Sequence, residues 1–273
     1  MNKYYHSARE YAKWTMGSLF RRSSPSVSLF WWKGCGNVGD VVSPYLVAGL
    51  LNCKIRPARK AAVNKLVGCG SILHYANSGD FVWGSGAIRS DLELHEKKLF
   101  IASVRGPLTR KLVISAGISC PEVYGDPALL LPQVKPMAAG VKKKWKIGIV
   151  PHYVDSFMME RFDPSVKILS VGKCLDEFLI DLWSCERIVS SSLHGIIFAE
   201  SYGIPADWVS LSDNVVGSGF KFRDYYLGTE REPIEPLRLG DIYKERLWKS
   251  PNINKAGIFN ALQSIYSRIH SGE

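Results

Sequence analysis

Short apolar runs alternate with helical patterns along the first half of the chain, from Val27 onward. VSLFWW is typical of a strand, GCGNVGD of a turn and VVSPYLVAGLLN of a helix. Four later segments each predict a strand that runs into a glycine-containing loop: KLVGCGSIL, DFVWGSG, LFIASVRG and EVYGDPALL. Because alternating strands and helices form parallel sheets, this half predicts an α/β unit with helices on both faces of its sheet.

The segment QVKPMAAGVKKKWK interrupts this alternation, since it contains Pro136, Gly140 and a run of lysines. The pattern then restarts: KIGIVPH, VKILSVG, ERIVSSS and PADWVSLS predict strands, and CLDEFLIDLWSC and LHGIIFAESYG predict helices. A chain of 273 residues exceeds the usual single-domain length of about 100 to 200 residues. We therefore predict an N-terminal α/β domain over residues 1–140 and a C-terminal one over residues 141–273, facing a cleft.

Both ends of the chain have helical spacing. Apolar residues between Tyr4 and Leu19 predict an amphipathic first helix. It either docks on a membrane surface or packs on its own protein, and the second is favoured because its basic residues do not form one face. The closing AGIFNALQSIYSRI is expected to pack on the first domain or to cap the second.

The charge balance favours anionic partners. Thirty-five Lys and Arg residues against 25 Asp and Glu residues give a net charge of +10. Nucleic acid is not expected as a partner, because the basic residues are scattered and no zinc-finger or RRM signature is present. No apolar run is long enough for a signal or a membrane span, so we expect a cytoplasmic protein with at most peripheral membrane contact. Six cysteines without a CxxC pair predict reduced, mostly buried thiols and no structural zinc.

The candidate site follows from the position of the glycine-rich segments. In open parallel sheets, ligands bind outside the carboxyl ends of the strands. Each of the predicted loops lies at such an end, so the cleft is expected to be lined by GNVGD, WGSG, SVRGP, YGDP, PHYVD and SSSLHG.

Two of these segments are suited to an anion. In GCGNVGD the backbone N–H groups face a ligand at a helix start, while Asp40 is either a helix cap or a catalytic carboxylate. In SVRGPLTR, Arg105 ends a strand just before Pro107 begins a helix. Its guanidinium either grips a phosphate or carboxylate or pairs with a structural acid, and the strand-end position favours the ligand.

The second half offers a further set of candidates. In SSSLHG the serines cap a helix and donate to an anion, and His194 lies in the first turn, where it is either structural or a proton-transfer group. In GSGFKFRDYY, Lys221 and Arg223 lie in a predicted loop, which either binds phosphate or is simply solvated. His152 and Asp155 form either a metal pair or a polar wall of the cleft.

Taken in order, GNVGD, GCGSIL, WGSG, VRGPLTR, YGDPALL, IGIVPHYVD and SSLHGIIFAESYGIP resemble the polysaccharide pyruvyl transferase family over roughly residues 28 to 228. The resemblance implies a GT-B-like fold, with two Rossmann-like domains facing a cleft. It also implies transfer of the enolpyruvyl carbons of phosphoenolpyruvate to a hexose of a surface polysaccharide or its lipid-linked precursor. The product would be a cyclic ketal, with phosphate released and no cofactor or metal required.

Matching positions assign roles by resemblance. His194 and Asp40 become the catalytic candidates, and Ser85, Asp126 and His152 the candidates for acceptor binding. The donor-binding candidates are Gly36, Asn37, Gly39, Arg105, Ser192, Leu193, Lys221 and Arg223. Many members of the family have Arg where this chain has Ser192, so either Lys221 and Arg223 supply the missing charge or the donor differs.

A mechanism follows as a hypothesis. The His194 imidazolium protonates the methylene carbon of the donor, one acceptor hydroxyl adds, phosphate leaves and a second hydroxyl closes the ring. Two alternatives stay open: a nucleotide-sugar glycosyltransferase of the same architecture, and a non-catalytic glycan- or phosphate-binding partner in polysaccharide assembly.

Overall fold

The computed structural model describes residues 25–34, 36–94, 98–244 and 247–271. The predicted first helix, between Tyr4 and Leu19, lies outside the described residues. Those of the first half form five strands and three α-helices: β1 Ser26–Phe30, α1 Val38–Leu51, β2 Lys54–Pro57, β3 Leu66–Val67, β4 Phe81–Trp83, β5 Phe100–Ser103, α2 Pro107–Ser115 and α3 Leu131–Val134. All five strands are parallel and lie in the order β2-β1-β3-β4-β5.

A second parallel sheet follows. Its strands and the remaining helices are β6 Trp145–Val150, β7 Lys167–Ile168, α4 Leu175–Trp183, β8 Cys185–Ser190, α5 Leu193–Ser201, β9 Ala206–Trp208, α6 Phe220–Gly228 and α7 Lys255–Ser271. The strand order is β7-β6-β8-β9. Short 3₁₀ helices occupy Leu73–Tyr75, Pro127–Leu130, Tyr153–Arg161 and Leu239–Asp241. The prediction of an α/β fold with parallel sheets is therefore confirmed.

Local sequence explains where the helices around the site begin. The Asn37 side chain accepts a hydrogen bond from Gly39 N at 2.9 Å and caps α1. Pro107 is the first residue of α2, a position where the missing N–H costs nothing. Ser192 precedes α5, which begins directly after the buried carboxyl end of β8.

Two local predictions were wrong. EVYGDPALL forms no strand, because Asp126 caps a 3₁₀ turn that starts at Pro127, and only Tyr124 makes a bridge, to Val104. GSGFKFRDYY is not a loop: Gly219, with φ 77°, turns the chain into helix α6, which buries Phe222. Strand β2, at the edge of the first sheet, was not predicted.

The two sheets share a hydrophobic cluster. Leu46 of α1 and Leu130 belong to the same cluster as Leu179 of α4 and Phe198 of α5. The domain boundary at residue 140 stays a prediction. The closing helix α7 was expected either to pack on the first half or to cap the second. It packs on the first half, where Trp83 Nε1 of β4 donates to the carbonyl of Ile258 at 2.8 Å.

Two further predictions concern cysteines and the membrane. Cys53, Cys69, Cys120 and Cys185 are buried, as expected, and Cys174 is partly exposed. Cys35 is not among the described residues. None of the described helices has both the length and the apolar content that crossing a bilayer requires.

Candidate active site

A cavity of about 250 Å³ lies where both sheets reverse their strand order. The order reverses between β1 and β3 in the first sheet and between β6 and β8 in the second, and such points are where open α/β sheets bind ligands. The loops after these four strands line the cavity. They contribute Trp32, Asn37, Asp40, Gly70, Ser71, His152, Tyr153, Ser192, Leu193 and His194, and α6 adds Lys221.

His194 reaches across from the second half to the first. A Cβ atom at Gly39 would lie 2.3 Å from the imidazole, so the ring packs directly on the backbone of α1. Its Nε2 atom is buried, has no hydrogen-bond partner among the described residues and lies 3.9 Å from Asp126 Oδ2. A buried, unsatisfied ring nitrogen facing a cavity is poised to meet a ligand.

Asp126 and Ser85 lie behind the cavity wall and do not line it. Asp126 is fully buried, and its carboxylate accepts from Ala128 N at 2.9 Å and from Gly70 N at 3.3 Å. Ser85 Oγ donates to the carbonyl of Gly70 at 3.0 Å. Both side chains therefore fix the loop after β3. Their predicted contact with the acceptor stays a prediction.

Lys221 is the buried cation of the cavity. It is 8% exposed, and its amine makes no hydrogen bond or ion pair with any residue that the structure describes. Burial and the nearby Arg105 lower the pKa of Lys221 to about 8, and the carboxylates of Asp40 and Asp155 oppose that shift. The ring of Phe222 lies 5.5 Å from the ammonium, and burying an ammonium without a counterion in direct contact is costly, so this position favours binding of an anion.

Arg105 is held inside the protein and is absent from the cavity lining. Its Nε atom and one terminal nitrogen contact Asp224 Oδ2 at 3.0 and 2.9 Å, and a terminal nitrogen also donates to the Ala87 carbonyl at 2.6 Å. The remaining terminal nitrogen donates to Ser71 Oγ at 2.7 Å. Arg105 therefore meets the cavity through Ser71, and its donor-binding role stays a prediction.

Arg223 points to a different place from Lys221, although both belong to α6. It binds both carboxylate oxygens of Glu235, at 2.9 and 3.1 Å, and the carbonyl of Ser218 at 2.7 Å. It lies over the ring of Trp208 beside a separate groove and does not line the cavity.

The backbone amides at the start of α1 are used within the protein. Val38 N donates to the carbonyl of Val171 at 2.8 Å, Gly39 N to Asn37 Oδ1, and Asp40 N to the Asn37 carbonyl at 3.0 Å. Gly36 makes the preceding turn at φ 59°. This segment supplies the cavity with the Asn37 and Asp40 side chains and, at Gly39, with the space that His194 fills.

The start of α5 differs from that of α1. The Ser192 hydroxyl makes no hydrogen bond with any described residue, and the first-turn N–H groups of Leu193 and His194 have no helical carbonyl to donate to. Both the hydroxyl and these amides lie at the positive end of the helix dipole. The Ser192 side chain makes no capping hydrogen bond, so that part of the expectation was wrong, and contact of this helix start with an anion stays a prediction.

His152 is a neutral part of the wall. Burial, together with the Lys221 and His194 charges, lowers its pKa to about 3. Its backbone N donates to Ser191 Oγ at 2.9 Å, and that hydroxyl donates to Asp155 Oδ2 at 2.6 Å. Within the described ranges, no three His, Cys, Asp or Glu side chains cluster as a metal ligand set requires.

Sequence analysis missed several cavity residues. Trp32 and Ser71 lie in the loops just after β1 and β3, so the rule that found His194 points to them as well, whereas Tyr153 belongs to PHYVD, which was expected to line the cleft. Asn214 and Val216 come from the loop after β9, where nothing in the local sequence marks them. The other missed residues are Ile72, His74, Tyr75 and Ile88, and Val154 belongs to the expected PHYVD segment.

Known proteins offer a comparison. The sequence model of the polysaccharide pyruvyl transferase family matches residues 64–213, more than half of the chain. Uncharacterized protein L143 of Acanthamoeba polyphaga mimivirus is 28% identical over 211 residues, which cover 72% of this chain and 72% of that protein. The succinoglycan biosynthesis protein ExoV of Rhizobium meliloti (strain 1021) is 27% identical over 215 residues, 72% of this chain and 62% of ExoV. The chain thus matches less than two thirds of the length of ExoV, and no solved structure matches significantly.

Proposed function

The chain belongs to the polysaccharide pyruvyl transferase family, and from that premise we propose that it transfers the pyruvyl group of phosphoenolpyruvate to a hexose. The acceptor is part of a surface polysaccharide or of its lipid-linked precursor. The products are a cyclic pyruvate ketal and inorganic phosphate. A relative named for succinoglycan biosynthesis supports the polysaccharide acceptor.

The observation that supports the donor most directly is the chemistry of the cavity base. The unpaired Lys221 amine, the Ser192 hydroxyl and the unsatisfied Nε2 of His194 line one cavity of about 250 Å³. Sites for larger ligands usually measure about 300 to 1,000 Å³, so this base suits a small molecule. Ammonium, hydroxyl and helix-start donors together suit a phosphate and a carboxylate.

Lys221 can replace the positive charge that is missing at Ser192. A serine where many members of the family have arginine removes one cation from the start of α5. Of the two residues expected to replace that charge, Lys221 lines the cavity, whereas Arg223 binds Glu235 elsewhere. Lys221 therefore carries the compensating charge in this proposal.

The reaction then balances with the groups present. His194 gives its proton to the methylene carbon of the donor, and that carbon becomes the methyl group of the ketal. Asp40 takes the proton of the first acceptor hydroxyl as its oxygen bonds to the central carbon. The carbon–oxygen bond to phosphate breaks, the second hydroxyl closes the ring, and the proton of that hydroxyl leaves with the phosphate.

The remaining parts of the proposal concern architecture and location. The two parallel sheets, whose carboxyl ends share one cavity, support a GT-B-like pair of Rossmann-like domains. The proposed reaction takes place in the cytoplasm, at or near the inner face of the membrane. It needs no cofactor beyond the donor.

The direct test is incubation of the protein with carboxyl-labelled phosphoenolpyruvate and a panel of methyl hexosides and oligosaccharides. We expect phosphate release that depends on the acceptor, and a ketal in the product by mass spectrometry and NMR. Release of uridine diphosphate from a nucleotide sugar, without ketal, would show glycosyl transfer in its place. Ligand binding without turnover in the whole panel would favour a binding partner.

Lys221 gives the activity a pH dependence. Its pKa of about 8 means that the ammonium is present below pH 8 and is lost above it. Because only the ammonium attracts the donor, kcat/KM for phosphoenolpyruvate should fall about tenfold per pH unit above pH 8. Lys221→Met should raise the donor KM about 10- to 100-fold and remove the part of this limb that comes from Lys221, whereas the part that comes from loss of the His194 proton stays.

Lys244→Met is the matched control, since its side chain is 73% exposed. This variant should show the same dependence of kcat/KM on pH as the wild type. A wild-type kcat/KM that stays constant up to about pH 10 contradicts the role of Lys221.

Gly39 should be as sensitive as a catalytic side chain. A methyl group at this position would lie 2.3 Å from the imidazole of His194, so the ring must move. Since a displacement of about 1 Å costs roughly 10²-fold in rate, Gly39→Ala should lower kcat by about that factor. The added methyl group would also lie 2.5 Å from the Cβ atom of His194, so some loss of stability is expected, and kcat is compared well below the melting temperature of the variant.

The matched control for Gly39→Ala is Gly240→Ala, where an added Cβ meets nothing within 4 Å. Turnover of each purified variant under saturating donor is the measurement. Equal kcat in the two variants would show that the contact of His194 with α1 does not matter for the reaction.

A further inference from the structure

The mouth of the cavity differs in character from its base. Two aromatic rings border the mouth: Trp32, 38% exposed, and Tyr153, 46% exposed. At the base, Lys221 and His194 are 8% and 9% exposed. Large apolar side chains that are exposed together at the rim of a polar cavity mark a surface that a ligand covers.

Trp32 is held in one orientation. Its indole stacks on the ring of Tyr75, with centroids 5.4 Å apart and planes 2° apart. Tyr75 in turn carries the ammonium of Lys60 at 4.2 Å and meets Phe30 edge-on at 5.4 Å. This layered packing fixes the orientation of the indole, which is 38% exposed, so its exposed part can meet a ligand without further ordering.

The backbone of Gly34 packs closely against the indole. A Cβ atom at this position would lie 2.8 Å from carbon atoms of the Trp32 ring. Any other residue would therefore push the indole off its stack. The glycine and the Tyr75 stack together define a flat aromatic surface at the cavity mouth, which we call the Trp32 platform.

We propose that the Trp32 platform is the acceptor subsite, on which the hexose ring lies with its C–H face against the indole. This inference rests on the proposed function. The electron-rich face of an aromatic ring attracts polarised C–H groups, and a pyranose presents an apolar C–H face together with a rim of hydroxyls. Phosphoenolpyruvate has no such face and matches the cationic base of the cavity.

The placement of polar groups agrees with this arrangement. A ring lying on the platform has hydroxyls at its edge, and Asp40, His152 and Asn214 line the same cavity. His152 is neutral, with a pKa of about 3, so it exchanges hydrogen bonds with hydroxyls without holding a charge. The hydroxyl pair that forms the ketal then faces the base, where Lys221 and His194 hold the donor.

The test uses methyl β-D-galactopyranoside and methyl β-D-glucopyranoside as probes in saturation-transfer NMR with the chain of 273 residues. We expect saturation of the ring C–H protons in the wild type and its loss in Trp32→Ala. Trp32→Phe should retain it, because phenylalanine restores an aromatic face. Phe157→Ala is the matched control, since Phe157 is 57% exposed and lies off the cavity.

Kinetics provide the second readout. Trp32→Ala should raise the acceptor KM about five- to tenfold. The donor Kd and the melting temperature of the variant should equal those of the wild type. An unchanged acceptor KM, or no saturation transfer from either glycoside to the wild type, would overturn the subsite. Failure of the proposed function is seen separately, as the absence of ketal from the wild type with every acceptor. Preferential binding of a detergent chain over the glycosides at Trp32 would identify an apolar ligand and also overturn the proposal.

Discussion

Replacing His194 with alanine is expected to lower kcat by about 10²- to 10⁴-fold, the usual contribution of a positioned general acid. Within the described part of the chain, Nε2 of the ring has no hydrogen-bond partner, so its removal takes no hydrogen bond from a buried group there. Phosphoenolpyruvate should still bind, because Lys221 and the start of α5 remain. Isothermal titration with the donor and initial rates of phosphate release separate these two effects.

An exposed histidine serves as the control. His270→Ala removes a side chain on the surface of α7 and should leave kcat at the wild-type value. His194→Gln fills most of the space of the imidazole and cannot act as an acid, so it should be as slow as His194→Ala. A glutamine variant with wild-type kcat, or a rise in donor KM without a fall in kcat, would assign His194 to binding alone.

Replacing Arg105 with alanine is expected to reduce the free energy of unfolding by about 3 to 5 kcal/mol. Arg105 and Asp224 are both fully buried and paired at 2.9 Å. The alanine variant leaves the Asp224 carboxylate with Thr109 alone, whose backbone N and hydroxyl donate at 2.9 and 2.6 Å. A buried charge without its counterion is the physical cause of the loss. Urea unfolding followed by tryptophan fluorescence measures it.

Arg223 provides a matched comparison with Arg105. It forms a bidentate ion pair with Glu235, whose side chain is 78% exposed. Arg223→Ala should therefore reduce the free energy of unfolding by no more than about 1 kcal/mol. Equal destabilisation by the two substitutions would contradict the dependence on burial. If Arg105→Lys keeps the charge and the fold but weakens donor binding, the donor contact predicted for Arg105 gains support.

Sequence patterns located the site because they identified where buried strands end. The runs of β-branched and aromatic residues before GNVGD, GCGS, PHY and SSSLHG fixed four strand ends. Topology then brought those ends together, and Asp40, His152, Ser192 and His194 line one cavity as a result. The rule concerns backbone position only, so it could not tell which side chains face the cavity.

Pairing over long separations explains what was missed at the site. The partner of Arg105 is 119 residues away, and nothing around either residue indicates the pair. Helix α6 was predicted as a loop because it buries Lys221 and Asp224 beside Phe222 and Tyr225. These charged residues are buried for the site and for the ion pair, and they interrupt the apolar period that identifies a helix.

Strand β2 was missed for a different reason. It spans four residues and ends in Pro57 at the edge of the sheet, where a missing N–H is tolerated. Proline inside so short a run argues against a strand when only the sequence is considered.

Helix α7 covers part of the first sheet, but it is synthesised near the end of translation. Ile258, Leu262 and Ile265 belong to the same apolar cluster as Trp83, which was translated more than 170 residues earlier. A nascent chain therefore leaves β4 and β5 without this cover until the segment around residue 265 has left the ribosome. Partly covered parallel sheets are prone to aggregate, so efficient production in cells should depend on a chaperone that shields the nascent first half.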